Sequence, residues 1–170
     1  MTLTRRQLAS IAVAGVTTGA AGVWLLREGG RLAAPELSYT LLDGSQVHTS
    51  GFRGQVLLIN FWATTCSTCL AKMPDLIETQ RRLGPSGLRT LAVAMQYDPP
   101  VRVADFAQAR QLPFGVVIDN TGRIAARFGD VQQTPTTFLI DRHGQIAKRF
   151  VGAPDLAELN RTIQNLLAEA

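Results

Sequence analysis

The chain changes its hydrophobic rhythm several times, and each change marks an element. "LSYTLLDGSQVHTS" (37–50) alternates apolar and polar positions around Asp43-Gly44, the signal of a β-hairpin. "QVLLINFWA" (55–63) and "LRTLAVAM" (88–95) are almost wholly apolar short runs, which suits strands buried on both faces. Between them, from Ser67 to about Leu83, the residues Leu70, Met73, Leu76 and Ile77 recur at helical spacing. "VRVADFAQARQ" (101–111) predicts a second helix and "PFGVVID" (113–119) a third strand. "NTGRIAARFGDVQQ" (120–133) reads as loose chain. "TTFLID" and "QIAKRFV", joined by "RHG", predict an antiparallel hairpin. A last helix starts near Pro154, with Leu156, Leu159, Ile163, Leu166 and Leu167 on one face. This order describes an α/β sandwich around a mixed sheet.

Composition adds a compartment. The 170 residues are one domain's worth of chain, and 46% hydrophobic residues suit a globular protein. The net charge of +4 sits mainly at the start, where Arg5, Arg6, Arg27 and Arg31 face only Glu28 before residue 35. No basic stripe with interleaved aromatics follows, so nucleic acid is not expected as a partner. Residues 7–26 carry no charge, a length that crosses a hydrocarbon core as a helix. Arg5 and Arg6 ahead of it place the N-terminus in the cytoplasm and the rest outside. "TRRQL" partly matches a twin-arginine export signal, and "LAA" at 32–34 before Pro35 is a poor cleavage context. The expectation is a signal-anchor or export segment with linker over 1–34 and a folded domain over 35–170. An uncleaved inner-membrane anchor, a removed export peptide with a soluble periplasmic product, and a buried helix are the three alternatives.

Chemistry concentrates in "FWATTCSTC" (61–69), which holds the chain's two cysteines, Cys66 and Cys69. As a staple the pair closes a tiny loop and removes little entropy from the unfolded chain. A structural zinc needs about four ligands, and only His48 and His143 could join the thiols. A two-sulfur Cu(I) site stays open, because soft thiolates select that ion. Redox exchange fits the location best: Cys66 falls where a buried strand hands over to a helix, whose N-terminus favours a thiolate. Cys69, one turn later, faces the same side and can resolve a mixed disulfide.

These motifs, with "LLDGSQV", "FRGQVLLINFWA", Pro74, "TPTTFLIDRHG" and "FVGA", resemble the thioredoxin superfamily from about Pro35 to Ala170. The resemblance is strongest to its membrane-anchored branch, the TlpA/ResA-like thiol–disulfide oxidoreductases. It implies a thioredoxin-like α/β sandwich, a mixed central sheet flanked by helices, with an extra N-terminal β-hairpin. It implies Cys66 as nucleophile, Cys69 as resolving thiol, Pro135 as a cis-proline beside them and Thr134 as backbone partner of a substrate strand. Trp62 would be the aromatic under the active-site loop, or else an ordinary core aromatic. Asn60 stands where thioredoxin itself has an Asp, as in the anchored branch. Thr65 replaces a frequent Trp and makes the partner-facing rim less apolar. Lys72 stands where the branch often has an acid, and its charge is expected to tune the redox poise.

Rival patterns do not fit. A DsbA-type oxidase needs an inserted helical domain, and under 20 residues separate Met95 from Phe114. A peroxiredoxin needs Thr where Ala63 stands, and a Sco-type copper chaperone has one more residue between its cysteines. The expected function is a monomeric protein-disulfide reductase with no cofactor or metal beyond the Cys66–Cys69 pair. It would act on oxidised envelope proteins, recharged by an inner-membrane electron donor. The alternative is a Cu(I)-binding or copper-delivery module of the same fold.

Overall fold

A strand can be apolar at nearly every position only if both of its faces are covered, because successive side chains point opposite ways. β3 (Val56–Trp62) meets that condition and is buried at all seven residues. Val56, Leu58 and Trp62 enter one apolar cluster, while Leu57, Ile59 and Phe61 enter another across the sheet. Each fully buried side chain of this size contributes about 1.5–3 kcal/mol. The computed structural model describes residues 31–169.

β3 pairs in parallel with β4 (Leu88–Ala94), which pairs in parallel with β5 (Gly115–Ile118). On its other side β3 pairs antiparallel with β6 (Thr136–Ile140), and β6 with β7 (Ile146–Val151). The order β5-β4-β3-β6-β7 is the expected mixed sheet. The helices are α1 (Ser67–Leu83), α2 (Pro100–Arg110), α3 (Arg123–Arg127) and α4 (Leu156–Ala168). Met73 and Leu76 of α1, Val103 of α2, and Leu159 and Ile163 of α4 pack into the first cluster. The second is closed by α3 through Ile124 and by Tyr39, with Phe61 edge-on to Phe128 and Phe138.

Tyr39 belongs to the extra hairpin, β1 (Ser38–Thr40) and β2 (Gln46–His48), paired antiparallel. Its turn is built as the alternation predicts: Gly44 has φ +83°, and Asp43 accepts from the amide (2.9 Å) and hydroxyl (2.6 Å) of Ser45. The Ser45 hydroxyl, then its amide, hold the Asp43 carboxyl below its ordinary range. Between β1 and the turn the chain docks on β5, with Leu42 N donating to Val116 O at 3.0 Å.

Two differences from the sequence reading stand out. The stretch 120–133 is not wholly loose, since α3 lies within it. Five residues are too few to show a period, and Ala125 N finds its acceptor in the buried Asp119 carboxylate at 2.8 Å. Secondly, the end of the linker expected within residues 1–34 is tied to the domain. Ala33 bridges Gln145, Ala34 N donates to Gly144 O (2.9 Å), and Ile146 N donates to Leu32 O (2.7 Å). Among the described residues no helix is long and apolar enough to cross a membrane. The segment 7–26, expected to do so, lies outside the described residues.

Candidate active site

Sheet topology gathers the site. β3 and β4 are parallel, so the loops leaving them emerge at one end of the sheet. β6 runs the other way, and its pairing of Thr136 with Phe61 brings the chain just before β6 to that same end. Three segments therefore converge: Ala63–Ser67, Gln96–Pro99 and Gln133–Pro135.

Cys66 is the N-cap of α1, with extended backbone (φ −91°, ψ 101°), and its Sγ accepts from Cys69 N at 3.1 Å. The sulfur thereby replaces the oxygen cap that helix N-termini usually recruit. The first turn of α1 has no acidic residue, and Arg81 and Arg82 lie in its last turn. Nothing in that turn opposes negative charge at Cys66, where the helix dipole favours it. Cys66 and Cys69 form a disulfide with Cα atoms 5.2 Å apart. Cys66 is partly exposed, whereas Cys69 is 3% exposed. One sulfur is open to a partner and the other is not.

The Thr134–Pro135 peptide is cis, and Thr134 O lies 3.6 Å from Cys66 Sγ. Pro135 O accepts from Gly152 N at 2.8 Å, tying this loop to the end of β7. Tyr97, exposed on the neighbouring loop, places its hydroxyl 3.5 Å from Thr134 Oγ1.

The other expected residues fall in different places. Thr65 is exposed beside Cys66. Trp62 is fully buried in the core, its ring 5.2 Å from that of Phe106. Lys72 is half-exposed, and its Nζ pairs with Asp75 Oδ2 at 3.1 Å rather than standing alone over the thiols. Among the described residues no three His, Cys, Asp or Glu side chains gather as a metal site. His48 bonds instead to Ser38 Oγ through Nδ1 at 2.9 Å.

Sequence reasoning missed Asp98. It is 2% exposed, and its carboxylate accepts from Thr64 N at 2.6 Å and also from Thr64 Oγ1. Those bonds pin the segment leading to Cys66 onto the loop after β4. The available signal was an acidic residue in the short loop after a buried strand, four positions past its end, on the side of the sheet where α/β sites form. Asn60, buried in β3, donates from Nδ2 to Thr137 Oγ1 at 3.0 Å below Cys69.

Fold and site together define a thioredoxin-like domain with a redox-active pair of cysteines at a helix N-terminus. Residues 29–163 match the Redoxin family, and the chain belongs to that family. It is 29% identical over 96 residues to the thiol-disulfide oxidoreductase ResA of Bacillus thuringiensis, covering 56% of this chain and 55% of that protein. Its counterpart in Geobacillus kaustophilus is 33% identical over 91 residues, 54% of this chain and 52% of that one. The chain thus spans about half the length of the curated relatives it matches. The solution structure of a provisional thioredoxin from Neisseria meningitidis superposes with a TM-score of 0.75 at 34% identity, over 81% of this chain and 91% of that one.

Proposed function

We propose that this chain is a membrane-tethered thiol–disulfide oxidoreductase that reduces disulfides of envelope proteins through Cys66 and Cys69. One observation carries the reading: an accessible sulfur caps α1 beside the Thr134–Pro135 loop, with its partner sulfur buried one turn below. In the reduced protein the Cys66 thiolate attacks one sulfur of a substrate disulfide, forming a mixed disulfide and releasing the other sulfur as a thiolate. Cys69 then attacks Cys66 Sγ, the substrate leaves as a dithiol, and Cys66–Cys69 closes. Two electrons pass to the substrate and no organic cofactor is involved. Thr134 offers its backbone to the extended substrate segment, and Thr65 and Thr134 make the rim polar. An inner-membrane dithiol donor reopens the disulfide, and residues 7–26 hold the domain on the outer face of that membrane.

The division of labour between the sulfurs is testable. Cys66→Ser abolishes reduction of insulin disulfides, whereas Cys69→Ser stalls as a long-lived mixed disulfide that captures cellular partners. Alkylation of the reduced protein at pH 6 labels Cys66 before Cys69. The reverse order overturns the assignment, and Cu(I) retained against a competing chelator without any exchange activity points to the copper module instead.

A further inference from the structure

A small pocket opens beside the buried sulfur. It offers about 40 Å³ of water-sized space, bounded by Cys69, Lys72 and Asp75 of α1, Asn60 of β3 and Thr137 of β6. The rest of its wall is apolar and includes Pro135 and Leu159. A water occupies roughly 10–15 Å³ by this measure, so the pocket has room for about three.

The chemistry proposed above gives that space a task, and this inference rests on that proposal. Cys69 must lose a proton to attack Cys66 and regain it when the disulfide is reopened, yet an apolar setting holds the proton on a thiol. At 3% exposure Cys69 does not trade it directly with bulk solvent. Of the groups facing the pocket, the Asn60 amide and the Thr137 hydroxyl accept no proton at neutral pH. The Lys72 ammonium is already protonated. β3, β6, the Pro135 loop and α4 bring no charged side chain to the wall. Asp75 is the one base left among the described residues that line the pocket. Six positions separate it from Cys69, about 9 Å along a helix axis, too far for direct transfer but within reach of two or three waters. Its side chain is 34% exposed, so it exchanges protons with solvent in turn. Lys72 Nζ, 3.1 Å from Asp75 Oδ2, keeps the carboxylate aimed.

We propose that the pocket is the proton port of Cys69 and that Asp75 is its terminus. During resolution the Cys69 proton passes through pocket water to the Asp75 carboxylate. The sulfur attacks Cys66 Sγ, the Cys66–substrate bond breaks, and the substrate leaves as a thiolate that solvent protonates. When a dithiol donor reopens the disulfide, the proton returns by the same route.

Reaction of the reduced protein with one equivalent of 5,5′-dithiobis(2-nitrobenzoate) separates the steps. The first coloured thiolate reports attack by Cys66 and the second reports resolution by Cys69. Asp75→Asn is expected to slow the second phase about tenfold to a hundredfold at pH 7, the low end for a positioned proton acceptor. The first phase stays unchanged, and the deficit shrinks as rising pH removes the proton unaided. Asp75→Ser gives the same deficit and Asp75→Glu restores the rate. Equal second phases in Asp75→Asn and the parent at every pH, or equal slowing of both phases, overturns the proposal. A parent protein that releases only one thiolate overturns the exchange mechanism itself.

Discussion

Lys72 shows how a charge read from sequence changes meaning once its neighbour is known. Three residues beyond Cys69, an unpaired ammonium would favour the reduced, thiolate form and make the couple more oxidising. The structure gives it Asp75 as partner at 3.1 Å, both side chains reaching solvent. A partly exposed pair of this kind is worth about 0–1 kcal/mol, and 1.4 kcal/mol corresponds to about 30 mV for two electrons. The net field of the pair at the sulfurs is smaller than that of either charge alone. Lys72→Glu replaces it with two neighbouring carboxylates, and the reduction potential is expected to fall by about 10 mV. A glutathione redox equilibrium measures this, and a rise in potential would contradict it. Pro135 was plainer to read, because "TPTTFLIDRHG" is one of the motifs that carry the family resemblance. Asp75 was not, because the pocket it lines is assembled from α1, β3, β6, α4 and the Pro135 loop, which are distant in sequence.

At the level of elements, the long rhythms were legible and the ties between them were not. β3, α1, β4 and the β6–β7 hairpin follow the apolar pattern because each buries a face that the pattern defines. The five-residue α3 left no period to detect, and the docking of residues 32–34 on the β6–β7 turn uses backbone groups, which sequence does not mark. The Asp98–Thr64 tie spans 34 positions and joins two loops, so no local pattern announces it. It nevertheless fixes where Cys66 sits. Replacing Asp98 with Ala strands the Thr64 amide and hydroxyl, and is expected to cost about 1–3 kcal/mol of stability. The site should suffer beyond that. Initial attack by Cys66 on a small disulfide slows in Asp98→Ala, whereas an equally destabilising change in β7 leaves it intact. Chemical unfolding and the first-phase rate, measured on both variants, check the two halves of the expectation.

On the scale of the whole molecule, the N-terminal hairpin covers one face of the sheet and couples stability to alkaline pH. Tyr39 is 1% exposed beneath it, with its hydroxyl 3.2 Å from Thr49 Oγ1. Burial, opposed in part by that hydrogen bond, pushes the phenol up to about 12 from an ordinary value of 10.0. A neutral phenol is the form the fold accepts, so its proton is held more tightly in the folded state. The corresponding stability is fully present below pH 10 and is lost as pH rises from there toward 12. At pH 11 the loss is about 1.4 kcal/mol, from one pKa unit at 1.36 kcal/mol. Competing alkaline effects are few, since the chain has two lysines, Lys72 and Lys148, both in exposed pairs. Urea unfolding at pH 8 and pH 11 should therefore show this decrement in the parent protein and not in Tyr39→Phe. The substitution itself lowers stability at pH 8, because Thr49 loses one of its hydrogen-bonding neighbours. An equal decrement in both proteins would place the alkaline sensitivity elsewhere and leave Tyr39 as an ordinary core aromatic.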